Sequence, residues 1–269
     1  MARSVALHAL TLSGCALALL AAAVAPVEAA AAAGERYVAL GDSYASGAGA
    51  RDYYQDSGDC NRSPWAYAPV LAARFGLDLV FPACLGATTR SLLSTQISQV
   101  TAAARYVTVS IGGNDALFSH VLTQCAKPWP YNCNDDIDRA EGIIRTELPG
   151  RLDEVYRQIR SRAPQARVLV IGPPRLFMRR TCNLGTRINV KEQDRLNVAA
   201  DRLAEVTRER VRVAGARFLF VDPRTAFAEH GVCAEDEWIN GLSRPVKDSF
   251  HPNAKGYRAL ADQIGSVLR

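Results

Sequence analysis

Two side chains far apart in the sequence have the types and surroundings needed for nucleophilic chemistry. Ser43 lies in the stretch Val38-Ala39-Leu40-Gly41-Asp42-Ser43, and His251 lies in Asp248-Ser249-Phe250-His251-Pro252. A serine on a sharp turn at the end of a strand is placed to attack an electrophile. It still needs a base, a group that orients the base, and donors for the negative charge that develops. Among the histidines, His8, His120 and His230 stand in contexts without a partner pattern. His251 sits on a loop before a helix start, from which its ring can reach a sheet edge. Asp248, three residues earlier, can accept the second ring proton, although that spacing also arises by chance.

The elements that must position these groups follow from periodicity. Residues 37–40 are an apolar, partly β-branched run, followed by glycines at 41, 47 and 49 that turn the chain. Ser63-Pro64 predicts a helix over 65–74. A second strand is expected over 77–81, ending in the small-residue loop 83–89, and a helix over 91–104. The run 105–111 is the clearest strand in the chain and leads into Gly112-Gly113-Asn114-Asp115. Residues 124–136, rich in Pro, Asn and Asp with two cysteines, read as a stapled loop. Apolar residues at 148, 152, 155 and 159 predict a helix over 148–162. Strands are expected over 167–171 and 217–221, and helices over 190–213 and 252–268. Strands alternating with helices imply parallel strands joined by right-handed crossovers. The expected fold is α/β: a three-layer α/β/α sandwich with a flavodoxin-like parallel sheet of about five strands, its ligands bound beyond the carboxyl ends.

The first 33 residues read as a cleavable secretory leader: Arg3, a long apolar run, then an alanine-rich segment. His8, Ser13 and Pro26 interrupt the run and no basic stop follows it, which disfavours a membrane anchor. Leu12-Ser13-Gly14-Cys15 resembles a lipoprotein cleavage box, but the apolar run continues well past Cys15. Residues 34–269 are then expected to be one domain, and the protein is expected outside the cell. The net charge of +5 comes from scattered arginines rather than a basic patch, which argues against nucleic-acid binding. Beyond the leader the cysteines are 60, 84, 125, 133, 182 and 233, an even number that suits an oxidising compartment. Cys60 and Cys84 follow the first two strands, Cys182 and Cys233 follow the last two, and Cys125 and Cys133 share one loop. That arrangement predicts disulfides 60–84, 125–133 and 182–233. No C-x-x-C, H-E-x-x-H, Walker or complete dinucleotide glycine pattern is present, so neither a metal nor an organic cofactor is expected. The absence of G-x-S-x-G disfavours an α/β-hydrolase elbow.

Taken singly, Ser43, Gly86 and Asn114 read as turn residues. Taken together, in order and at strand ends, Gly41-Asp42-Ser43, Gly86, Gly112-Gly113-Asn114-Asp115 and Asp248-x-x-His251-Pro252 resemble the SGNH hydrolases, also called GDSL esterases. The blocks span nearly the whole chain beyond the leader, and the chain further resembles the secreted actinomycete lipases and esterases of that family. The resemblance implies Ser43 as nucleophile, His251 as general base, and an oxyanion hole built from the Ser43 backbone N–H, Gly86 and Asn114. It implies hydrolysis of carboxylic esters through an acyl-enzyme, with lipid esters as the first-choice substrate. Phospholipase A1-type action, glycan deacetylation and a non-catalytic lipid- or glycan-binding role are the alternatives. The group that orients His251 is left open between the Asp248 carboxylate and the Ser249 backbone carbonyl. The expected partner is a small-molecule or lipid ester, met by a monomer with no stable membrane anchor.

Overall fold

In the computed structural model, Met1 and residues 34–128, 130–182 and 188–268 are described; the expected leader lies outside them apart from Met1. Five strands form one sheet: β1 (Arg36–Gly41), β2 (Asp78–Val80), β3 (Ala104–Ser110), β4 (Arg167–Ile171) and β5 (Phe218–Val221). Every pairing is parallel and the order is β2-β1-β3-β4-β5. Neighbouring β1 and β3 diverge to opposite sides in this order. Their carboxyl ends therefore flank the crevice where such sheets bind ligands.

Both faces of the sheet are covered, so the strands are apolar on both sides. Tyr37 and Ala39 of β1 and Leu169 and Ile171 of β4 join one core with Tyr67, Leu71, Tyr257 and Ile264. Val38 and Leu40, with Val168 and Val170, join the opposite core with Leu152, Val155 and Ile159. The period of two along each strand thus divides its side chains between two helical layers. The helices are α1 (Ser43–Ser46), α2 (Tyr67–Phe75), α3 (Thr89–Ser91), α4 (Phe118–Cys125), α5 (Asn134–Thr146), α6 (Leu148–Arg162), α7 (Val190–Ala214) and α8 (Ala254–Leu268). Among the described residues no helix is long and apolar enough to cross a membrane.

The expected sandwich is present, but four local expectations are corrected. The regular helix expected over 91–104 is instead α3, a π-helical turn over Leu92–Gln96 and a 3-10 turn over Ile97–Gln99. Ser94 and Thr95 bond back to the Ser91 carbonyl, and Gln96 turns inward to the first strand. The helix expected from residue 65 starts at Tyr67, because Ser63 uses its hydroxyl to close a turn onto the Trp65 N–H. The loop expected over 124–136 shrinks to 126–133 between α4 and α5. The last helix starts at Ala254, where the Asn253 carboxamide accepts from the Lys255 and Gly256 N–H groups, while Pro252 pairs with Ile239.

The disulfides are Cys60–Cys84, Cys125–Cys133 and Cys182–Cys233. The first lies above neighbouring β1 and β2 and the third above neighbouring β4 and β5.

Candidate active site

Gly41 ends β1 with φ +136°, and a Cβ there would lie 2.2 Å from the Ser110 carbonyl oxygen. Only glycine lets β1 turn this close to β3. The Gln96 carboxamide clamps this residue from the side. Its Oε1 accepts from the Gly41 N–H and its Nε2 donates to the Gly41 carbonyl, both at 2.9 Å. Asp42 then caps α1 by accepting from the Tyr44 N–H at 3.0 Å. Burial pushes the Asp42 carboxyl up to about 7; the Tyr44 N–H opposes the shift and the Asp115 charge adds to it. Ser43 is the first residue of α1 and is nearly buried at the base of a cleft. From below, the Tyr257 hydroxyl donates to the Ala48 carbonyl at 2.7 Å and holds the far end of the turn.

His251 Nε2 lies 2.7 Å from Ser43 Oγ. The segment before it is fixed by backbone pairing: Asn240 N–H donates to the His251 carbonyl and Phe250 N–H to the Asn240 carbonyl, each at 2.9 Å. Phe250 has φ +60° and packs its ring against Phe177, and Tyr44 OH donates to its carbonyl at 2.7 Å. Gly49 passes so close that a Cβ there would be 2.7 Å from that of His251. His251 Nδ1 is buried and makes no hydrogen bond of good geometry to a described residue. Burial pushes the imidazole down to about 4. Against that, the backbone of Ser249, the Asp248 charge and the backbone of Lys247 favour its protonated form, in that order. The buried Asp248 carboxylate accepts from Tyr53 OH at 2.7 Å, and the same phenol accepts from the Gly49 N–H at 3.0 Å. Asp248 thus ties the loop after Ser43 to the histidine segment.

Across the cleft, Gly86 has φ +77° and open space where a Cβ would stand. The N–H groups of Ser43 and Gly86 donate no hydrogen bond to any described residue. Asn114 Nδ2 donates to the Ala87 carbonyl at 3.0 Å, and its Oδ1 accepts from Ser119 Oγ at 3.0 Å. These two bonds fix which end of the amide faces which way and leave one N–H uncommitted. The Gly86 loop is braced on both flanks. The Cys60–Cys84 bond holds one side; on the other, Asp115 accepts from Thr89 N–H at 2.9 Å and Thr89 Oγ1 at 2.6 Å.

Ser43, Gly86, Asn114 and His251 all line one cleft of about 790 Å³, whose further walls include Leu85, Phe118, Leu122 and Leu242. A serine hydroxyl with an imidazole at hydrogen-bond distance, facing free N–H donors across a largely apolar cleft, is equipped for acyl transfer. Asp248 is beside the cleft but holds no bond to the imidazole. Two other histidines lie elsewhere: His120 pairs with Asp136 on the surface, and His230 stacks on Trp238. Gln96, Tyr44 and Tyr53 support the site without any sequence signal, since each reaches a partner that only the fold brings near. Among the described residues no cluster of His, Cys, Asp and Glu is arranged to hold a metal ion.

The GDSL-like lipase/acylhydrolase family model matches residues 39–259. A lipase of Streptomyces rimosus is 39% identical over 215 residues, covering 79% of each chain. The crystal structure of an extracellular lipase from Streptomyces rimosus superposes with a TM-score of 0.81 at 38% identity, covering 86% of this chain and 98% of that one. That of a phospholipase A1 from Streptomyces albidoflavus gives 0.82 at 38% identity, covering 87% and 99%.

Proposed function

The chain belongs to the GDSL-like lipase/acylhydrolase family and is a carboxylic-ester hydrolase, and from that premise we propose that Ser43 and His251 are its catalytic pair and that it cleaves lipid esters outside the cell. The observation that carries the pair is the 2.7 Å contact between Ser43 Oγ and His251 Nε2. The neutral imidazole takes the hydroxyl proton as Oγ attacks the ester carbonyl. The oxyanion forms between the N–H groups of Ser43 and Gly86 and the uncommitted N–H of Asn114, a donor of a kind generally worth ~2.7–4 kcal/mol in the transition state. The imidazolium then protonates the leaving alcohol, and water activated by the same ring releases the acid.

The buried Asp248 is occupied by Tyr53. We propose that the backbone carbonyl of Ser249 orients the ring, since Asp248 makes no hydrogen bond to the imidazole and the Ser249 backbone comes first among the neighbours that favour its protonated form. The apolar walls supplied by Leu85, Phe118, Leu122 and Leu242 favour an acyl chain over a sugar. Phospholipase A1-type action is the second reading, favoured by the likeness to the Streptomyces albidoflavus enzyme over nearly its full length. Export, through the leader expected at 1–33 ahead of a single catalytic domain over 34–269, is supported by three disulfides and by the likeness to an extracellular lipase. The enzyme is proposed to work as a monomer.

The test is labelling with a serine-directed organophosphonate, followed by peptide mass spectrometry. The adduct is expected on Ser43, and Ser43→Ala is expected to be folded, unlabelled and inactive on a chromogenic short-chain ester. An adduct on another serine overturns the assignment.

A further inference from the structure

The mouth of the catalytic cleft has an unusual surface on two sides. One rim is residues 241–247, of which Leu242, Arg244 and Val246 line the cleft; beside it runs a loop whose described residues are 126–128 and 130–133, which begins at the cleft-lining Ala126 and ends at the Cys125–Cys133 bond. Apart from Met1, the two most exposed large apolar side chains among the described residues are Val246 at 66% and Tyr131 at 64%. Val246 lines the cleft, and Tyr131 stands on the disulfide-closed loop that leaves the cleft wall at Ala126. The same two segments carry Arg244, Lys247 and Lys127 and no carboxylate-bearing residue. Arg244 is exposed, with no ion pair or hydrogen bond among the described residues; Lys127 donates to Gln124 Oε1 and lies 5.4 Å over the Tyr131 ring, and Lys247 donates to Asn61 Oδ1 and lies 5.2 Å over the Tyr53 ring. Exposed apolar tips cost free energy in water, and these two lie 115 positions apart in the sequence yet on segments that both border one cleft.

We propose that these two rims form a docking face for an anionic lipid surface, which seats the cleft mouth on the bilayer. Val246 and Tyr131 would enter the boundary between headgroups and acyl chains, while Arg244, Lys247 and Lys127 meet the headgroup phosphates. Charge complementarity selects an anionic bilayer over a second copy of this cationic chain. The proposal deepens the lipid-ester reading by stating where the substrate aggregate sits, and it does not require any particular ester to be cleaved.

The experiment is vesicle flotation with Ser43→Ala protein, which binds without turnover. It uses phosphatidylcholine vesicles with and without phosphatidylglycerol. Preferential binding to the anionic vesicles is expected, weakening as salt is raised. Val246→Ser and Arg244→Gln in the same background should each weaken it, the charge loss by about fivefold. In the otherwise native enzyme, Lys127→Gln with Tyr131→Ser should lower vesicle binding by about fivefold or more yet leave hydrolysis of a water-soluble short-chain ester unchanged. That activity reports both folding and the catalytic pair, so failure of the docking face and failure of the catalytic reading are separable. Equal binding to both vesicle types, binding unaffected by the rim variants, or concentration-dependent dimerisation through these residues without vesicle binding overturns the proposal.

Discussion

Tyr53, rather than His251, holds the Asp248 carboxylate, through a 2.7 Å hydrogen bond from the phenol. An aspartate that orients the base of a catalytic triad commonly contributes about 10⁴ in kcat. Here Asp248→Asn is expected to lower kcat by less than about tenfold, under ~1.4 kcal/mol in barrier terms, while His251→Ala is inactive. A loss of three orders of magnitude or more in the asparagine variant would restore Asp248 to a triad.

The acid limb of activity should be displaced. Hydrolysis needs the neutral imidazole, and burial pushes His251 from its ordinary 6.5 down to about 4. Activity is therefore retained as pH falls through 6.5 and lost as it falls through about 4. The profile of kcat/KM for a soluble ester is expected to be flat above about 5 and to fall tenfold per unit below its bend. A bend near 6.5 would show an exposed, freely charging ring.

Asp42 makes stability depend on pH in the opposite sense. Its carboxyl is raised by burial from 3.8 to about 7, so the folded state holds this proton more tightly than the unfolded chain. Stability is thus unaffected below about 4, declines as pH rises toward 7, and stays lowered above it. Asp42→Asn preserves a helix-capping acceptor without the charge. It should raise the melting temperature at pH 8 by more than at pH 4, with a ceiling of about 4 kcal/mol from the size of the shift. Equal effects at both pH values would place the proton elsewhere.

Gln96→Leu removes the side-chain acceptor of the Gly41 N–H while keeping much of the volume. Leaving that donor buried is expected to cost about 1–3 kcal/mol of stability by denaturant unfolding. Because Gly41 is two residues from Ser43, the proposed nucleophile, kcat should also fall, by roughly ten- to a hundredfold, with KM little changed. Unaltered kcat would show that the turn holds its own shape.

The strands were legible because β3, β4 and β5 are β-branched or aromatic runs, and α6 because its apolar residues keep a strict helical spacing. Helix α5 was not read from sequence: its first three residues fell in the loop expected over 124–136, and the rest, polar and interrupted by Gly142, was left unassigned. The segment 91–104, expected to be one helix, misled for the opposite reason. It has good helical spacing, but the pull of Gln96 toward Gly41 breaks the regular turn. Ser43 and His251 each announced themselves in a short motif. Tyr44 did not, because its hydroxyl meets the Phe250 carbonyl 206 positions away and nothing local encodes that meeting.

The contact between Ser43 and His251 joins residues 208 positions apart, and on the proposed assignment this separation sets a delay before the pair can form. Ribosomes make the amino-terminal part first, at roughly 5–20 residues per second, so about 10–40 s pass between synthesis of the serine and of its base. Throughout that interval the nascent chain carries an inert hydroxyl. The proposed pair is incomplete until the last loop is made and folded. Any proteolytic cut that frees the segment bearing His251 returns the remainder to that silent condition.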